Sequence, residues 1–363
     1  MHRIDKVKTL LEEHHLSALI IDKPADLYYL LGKDLSLGRL VIEKKGATLF
    51  VDGRYYEACT EISYLNVILT AGYGIKSAFR GWWKINGPVG FDSTFTTYEA
   101  YQLLQELQTP LIALKNPLKS LREKKEPSEI GHLTKAAMLC VEGFDYVTTL
   151  LQEGISEREI VTALEIFWLQ KGGERVAFTP HIAFGEGSSQ PHYHSAERRL
   201  KKGDSVLIDI GVVTEHYNSD MTRVVAFGEP AEKIKEIYQY VWEAYQAATE
   251  LCRPGVKIRE VDRAARGLIE KKGFGEYFPH GLGHGVGLEI HEAPRIHSVG
   301  NDAERVLEEG MVLTIEPGIY LPGIGGVRLE DTLLITITGF EILTVRPLPR
   351  VLPIVDLAEN SGF

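Results

Sequence analysis

Two stretches of the chain read as copies of one another. LLQEGISEREIVTALEIFWLQKGG, from Leu150, is matched by ELCRPGVKIREVDRAARGLIEKKGF, from Glu250. Gly154 falls on Gly255, Glu159 on Glu260, Ile160 on Val261 and Ala163 on Ala264, an offset of about 101 residues (255 minus 154). In each copy a long helical pattern precedes the glycine and a second amphipathic helix follows it. In the first copy that second helix opens on a capping box, Ser156 to Glu159. Further on, Pro180-His181 corresponds loosely to Pro279-His280. An internal duplication is the expected origin of the match; the alternative is two similar helices of independent origin.

Ahead of the repeat lies a smaller α/β pattern. Val7, Leu10, Leu11 and His14 have helical spacing, and ALIID reads as a buried strand. RLVIEKKGATLFVDG reads as a hairpin turning at Lys44 to Gly46, and LNVILTA as a further strand. The charged segment LKSLREKKEPSEI, with Pro127, precedes a long helical pattern and puts a boundary near residues 118–128. The expected domains are 1–122 and 123–363, in an α+β chain of 363 residues.

The repeat also carries acids in apolar surroundings. In GDSVLIDIGVVTEHYNSDMTRVVAFG a turn near Thr214 and Glu215, with symmetric pairing, sets Asp209 opposite Asp220. MVLTIEPGIYLPGIGGVRLEDTLLIT turns near Pro322 and Gly323 and sets Glu316 opposite Glu330. Facing like charges destabilise a sheet, and a buried ionised carboxylate costs several kcal/mol unless paired or bound to metal. No lysine lies near the four, and Arg223 and Arg328 are too few to neutralise them. Two divalent cations answer the charge. A site of mostly oxygen with one imidazole suits Mn²⁺, Co²⁺, Fe²⁺ or Zn²⁺.

HGLGHGVGLEIHE, His280 to Glu292, supplies the imidazoles on a glycine-rich backbone that is free to turn sharply. His284, by its central place, completes the metal shell, leaving other histidines to move protons. His192, in SSQPHYH, precedes His291 by about 99 residues (291 minus 192), so the duplication can bring both to one cleft. GLGHGVG has Val286 where a dinucleotide fingerprint needs glycine, and neither a GxSxG elbow nor an HExxH helix is present. Ser188-Ser189 reads as a turn, and Trp82-Trp83 as core packing or a subunit contact.

PHYH, DIGVVTEHYNSDMTR, HGLGHGVGLEIHE, TIEPGIY and GVRLED stand in the order and spacing of the pita-bread metallopeptidases, in the branch of Xaa-Pro dipeptidases and Xaa-Pro aminopeptidases. SALIIDKPADLYYLLG and LFVDGRYYEA resemble that branch's creatinase-type N-terminal domain. The resemblance spans nearly the whole chain. It implies a C-terminal pita-bread fold with internal pseudo-twofold duplication, preceded by a smaller α/β creatinase-type domain. It also implies a dinuclear site of Asp209, Asp220, His284, Glu316 and Glu330. Asp220 and Glu330 would touch both metals, Asp209 one, and His284 and Glu316 the other. The implied reaction is hydrolysis of the Xaa-Pro bond, in dipeptides or at the N-terminus of short peptides, by a metal-activated hydroxide.

In that reaction Glu316 would take and return the proton. His192 and His291 would orient the substrate and stabilise the tetrahedral intermediate, with His280 and Arg328 in support. The expected cofactor is a pair of divalent ions, Mn²⁺ first, with Co²⁺, Zn²⁺ or Fe²⁺ as alternatives. Short proline-containing peptides are the expected partners, and a homodimer follows from the resemblance alone. His216 stands where many relatives have glycine before the tyrosine; His181 also departs from many relatives and receives no role. A methionine aminopeptidase-like enzyme and a non-catalytic pita-bread binding protein are the competing readings.

A formal net charge of -10 argues against nucleic acid or an anionic membrane as main partner. The start, MHRIDKVKTLLEEHHL, lacks the apolar run of a signal peptide, and no later stretch has the length of a membrane span, so a cytoplasmic location is expected. Cys59, Cys140 and Cys252 are scattered singly and read as small buried hydrophobes.

Overall fold

The computed structural model describes residues 2–70 and 75–355, the side chains of 75–78 excepted. Two compact units make up the chain, Met1–Arg122 and Glu123–Phe363.

In the first unit, six strands form one sheet in the order Asn66–Thr70, Gly46–Asp52, Arg39–Glu43, Ala18–Ile21, Val89–Asp92, Leu111–Leu114. The apolar run at Ala18–Ile21 is wholly buried because strands flank it on both sides, one antiparallel and one parallel. The hairpin closes on Lys44-Lys45, with Glu43 paired to Gly46. Trp82 packs against Phe50 at 5.2 Å between ring centroids and Trp83 against Phe79 at 5.1 Å, so this pair contributes to the unit's own core.

The second unit is built twice over. Helix Pro127–Leu150 leads through Gly154, at φ 89°, to helix Glu157–Gln170; helix Glu232–Thr249 leads through Gly255, at φ 86°, to helix Ile258–Lys271. Each glycine takes the left-handed conformation that a side chain disfavours, which explains its recurrence. The Ser156 capping box forms as expected, with both hydrogen bonds made. Ile160 and Val261, matched in sequence, are both fully buried.

The strands repeat as well. Met221–Phe227, Ser205–Ile210 and His181–Phe184 lie side by side, as do Asp331–Ile335, Val312–Ile315 and Gly283–Gly285. The two sets meet at one bridge, Thr222 to Glu330. Behind it Arg223 donates to Asp331 Oδ1 at 2.6 Å, and Asp331 also accepts from Tyr245 and Thr344.

One register departs from expectation. The first hairpin turns at Glu215-His216, one residue later than predicted, so Asp209 faces Thr222 and not Asp220. Both turn residues have positive φ, 50° and 69°, the conformation of a tight primed turn normally filled by Asn or Gly. Neither residue signals such a turn; contacts from elsewhere hold it, including Lys135 Nζ on Glu215 at 2.6 Å. The slip is two residues along the partner strand, so Asp209 and Asp220 remain on the same face. The second hairpin has the expected register, centred on Gly323.

Arg223 and Asp331 are 3% and 1% exposed, so removing the guanidinium strands a buried carboxylate at the join between the copies. Replacing Arg223 with Met should cost about 3–5 kcal/mol in urea denaturation. A loss under about 1 kcal/mol would contradict this role for the pair.

Candidate metal centre and active site

The four acids converge where the two strand sets meet. Asp209 and Asp220 come from the first copy; Glu316 and Glu330 flank the break between the two ladders of the second hairpin. Asp209, Asp220 and Glu330 are 8%, 5% and 2% exposed. Burial, followed by the charge of Glu330, raises Asp220 well above the usual carboxylate range, and the same two causes act on Glu316. Glu330 is pushed up to about 8, first by burial and then by Asp209.

His284 enters from a short strand in which glycines let backbones close in: a side chain at Gly283 would run into the Thr314 carbonyl, 2.0 Å from an added Cβ. Its Nδ1 donates to the Gly285 carbonyl at 3.0 Å, which leaves a lone pair on Nε2. That Nε2 lies 3.5 Å from Asp220 Oδ2 and 3.5 Å from Glu316 Oε1. Burial, then His291, lowers His284 to about 3, so the ring is neutral and the contacts are not ion pairs.

A cation fits this donor set. Ligand atoms of Asp220, His284 and Glu330 all lie within 4.8 Å of one another. Glu330 Oε2 accepts from Thr222 at 2.6 Å, yet its Oε1 is buried with no protein partner. An orphaned carboxylate oxygen facing a neutral imidazole and further acids is the arrangement that a divalent ion completes.

Other predicted residues surround the acids. Arg328 pairs with Asp209, and its Nη1 donates to the Tyr320 hydroxyl at 2.8 Å. Tyr320 also bonds His280 Nε2 at 2.8 Å, while burial, then Arg328, lowers His280 to about 4. His291 packs edge-on against His284, with centroids 4.3 Å apart. The charge of His192, when protonated, adds to the lowering of both His280 and His291. Arg223, counted among the cations near the acids, is turned away to Asp331.

Sequence reasoning missed Thr222, Thr314 and Tyr320. Thr314 Oγ1 meets Glu316 Oε1 at 3.4 Å and accepts the His284 amide at 3.1 Å. Both threonines stand two residues from a predicted acid, so strand alternation was a usable signal. His181, left without a role, lies directly opposite Asp209.

Residues 131–337 match metallopeptidase family M24, and residues 3–124 match the creatinase/prolidase N-terminal domain. The chain belongs to metallopeptidase family M24. This M24 metallopeptidase is 38% identical over 345 residues to the Xaa-Pro dipeptidase of Pyrococcus furiosus, covering 94% of this chain and 97% of that one. Among solved structures it is similar to the Xaa-Pro dipeptidase from Bacillus anthracis, at a TM-score of 0.92 and 34% identity over 97% and 99% of the two chains. It is also similar to the X-Pro aminopeptidase from Thermotoga maritima, at a TM-score of 0.86 and 29% identity over 97% and 100%. No helix among the described residues is long and apolar enough to cross a membrane.

The buried acids set a pH dependence for the metal-free protein. Glu330 holds its proton up to about 8, whereas an unfolded glutamate loses it near ~4.3. The folded state therefore binds more protons across that window, and its stability falls as pH rises. His280 and His284 act oppositely, but only below about 6.5, where the unfolded histidines charge. The chelated protein should melt at a higher temperature at pH 6.5 than at pH 8. With Mn²⁺ in excess the difference should shrink or reverse, because protons compete with the ion. A chelated protein that melts higher at pH 8 would contradict the burial of these acids.

Proposed function

We propose that this M24 metallopeptidase hydrolyses the bond before proline, in Xaa-Pro dipeptides or at the N-terminus of short peptides. Asp209, Asp220, His284, Glu316 and Glu330 hold two divalent ions in this reading. The observation that carries it is the convergence of buried acids on the unprotonated Nε2 of His284, with Glu330 Oε1 unpartnered. Xaa-Pro relatives that align over nearly their full length support the substrate class.

Bound cations supply Lewis acidity toward the scissile carbonyl and acidify a water. Glu316 takes the proton of the attacking water on its carboxylate and delivers it to the departing proline nitrogen. That nitrogen leaves as a secondary amine and needs the proton. His192 and His291 orient the peptide and donate to the developing oxyanion. Arg328 fixes Asp209 on one side and the Tyr320 hydroxyl on the other, and through Tyr320 it sets the ring of His280. Mn²⁺ as the resident ion, a homodimer, a cytoplasmic location and the domain division at 122/123 belong to the same proposal.

Purified enzyme, chelated and then restored with Mn²⁺, Co²⁺ or Zn²⁺, should cleave a Xaa-Pro dipeptide, and Glu316→Gln should lower kcat by at least about 10²-fold. Silence toward both dipeptide and Xaa-Pro-Xaa tripeptide with every metal would favour a binding protein. Near-normal turnover by Glu316→Gln would overturn the proton assignment.

A further inference from the structure

His181 is a cleft-facing group that the mechanism above does not use. It begins the strand His181–Phe184, which pairs antiparallel with Ser205–Ile210 so that His181 stands opposite Asp209. Directly opposed residues point to the same face of a sheet, which puts this imidazole on the side of the acids. Its ring centroid lies 6.3 Å from those of His192 and His194 and 6.0 Å from that of Phe178.

One side of the ring is committed. Nδ1 bonds the carbonyl of Tyr193, and a carbonyl only accepts, so Nδ1 carries the hydrogen. Tyr193 is itself held, its hydroxyl donating at 2.9 Å to Glu157, a fully buried carboxylate that also takes the amides of Phe184 and Ala196. The tautomer leaves Nε2 with a lone pair, and that atom has no partner among the described residues. His181 therefore offers the cleft a fixed hydrogen-bond acceptor.

An Xaa-Pro dipeptide has few groups to meet it. The proline nitrogen carries no hydrogen, so the only main-chain donor is the α-ammonium group. We propose that His181 is a specificity-determining residue whose Nε2 accepts a hydrogen bond from the substrate's α-ammonium group. This rests on the Xaa-Pro reading of the site.

Two substitutions separate this role from a structural one. His181→Asn keeps a donor near Nδ1 and removes the Nε2 acceptor; His181→Gln keeps an acceptor near Nε2 and gives up the tie to Tyr193. With Mn²⁺-loaded enzyme and Ala-Pro, whose side chain has no donor, His181→Asn should raise KM about tenfold with kcat within about twofold. His181→Gln should stay within about twofold of wild type in both, and both variants should keep their metal content and melting temperature. The reverse pattern, Gln impaired and Asn normal, would assign His181 to holding the loop and overturn the proposal, as would normal KM in both variants or joint loss of metal. Failure of the wild type to cleave Ala-Pro would overturn the Xaa-Pro reading as well, a result distinct from these.

Discussion

Mutual repulsion among carboxylates drawn into one buried place is the constraint that the catalytic unit has to meet. Ionised acids at such short range, deprived of water, raise one another's proton affinity and weaken any fold that brings them together. Here the fold brings them together in two ways, through a duplication that supplies a hairpin from each copy and through the Thr222 to Glu330 bridge that joins them. The protein's own relief is partial: Arg328 neutralises Asp209, and Thr222 satisfies one oxygen of Glu330. What is left over is a specific appetite for positive charge.

The surroundings keep that appetite from collapsing the site. Arg223, Asp331, Tyr245 and Thr344 form a buried network behind the join, which fixes the backbone of Glu330 and separates structural charge from reactive charge. Glycines at 283 and 285 allow the His284 strand to lie against neighbouring backbone, and an added Cβ would sit 2.0 and 2.1 Å from carbonyl oxygens. A ring tied at Nδ1 and lowered by burial presents Nε2 as a ligand and not as a cation. Rigidity of this kind lets a side chain wait in the geometry that the chemistry needs.

Much of the arrangement was legible in the sequence because burial and periodicity leave marks. The matched glycines at 154 and 255 and the capping box at Ser156 announced the helices, and acids inside apolar runs announced the site. The turn at Glu215-His216 was not legible, since its positive φ values are held by distant contacts such as Lys135 and not by residues that prefer them. The error left the face of each acid unchanged, because a two-residue slip preserves strand parity. Tyr320 escaped notice, and His181 was noticed but given no role, for a different reason. Their importance comes from what folds opposite them, Arg328 and His280 in one case and Asp209 in the other.

Membership in metallopeptidase family M24 and the geometry of the acids lead to the same requirement, divalent metal at the join between the copies. Calorimetric titration of the chelated protein with Mn²⁺, checked by elemental analysis of the loaded chain, addresses that requirement without recourse to any substrate. The proposed site holds two ions per chain with Glu330 serving both, so two ions should bind and Glu330→Gln should weaken both sites. No ion, or two ions whose binding Glu330→Gln leaves unchanged, would contradict the account.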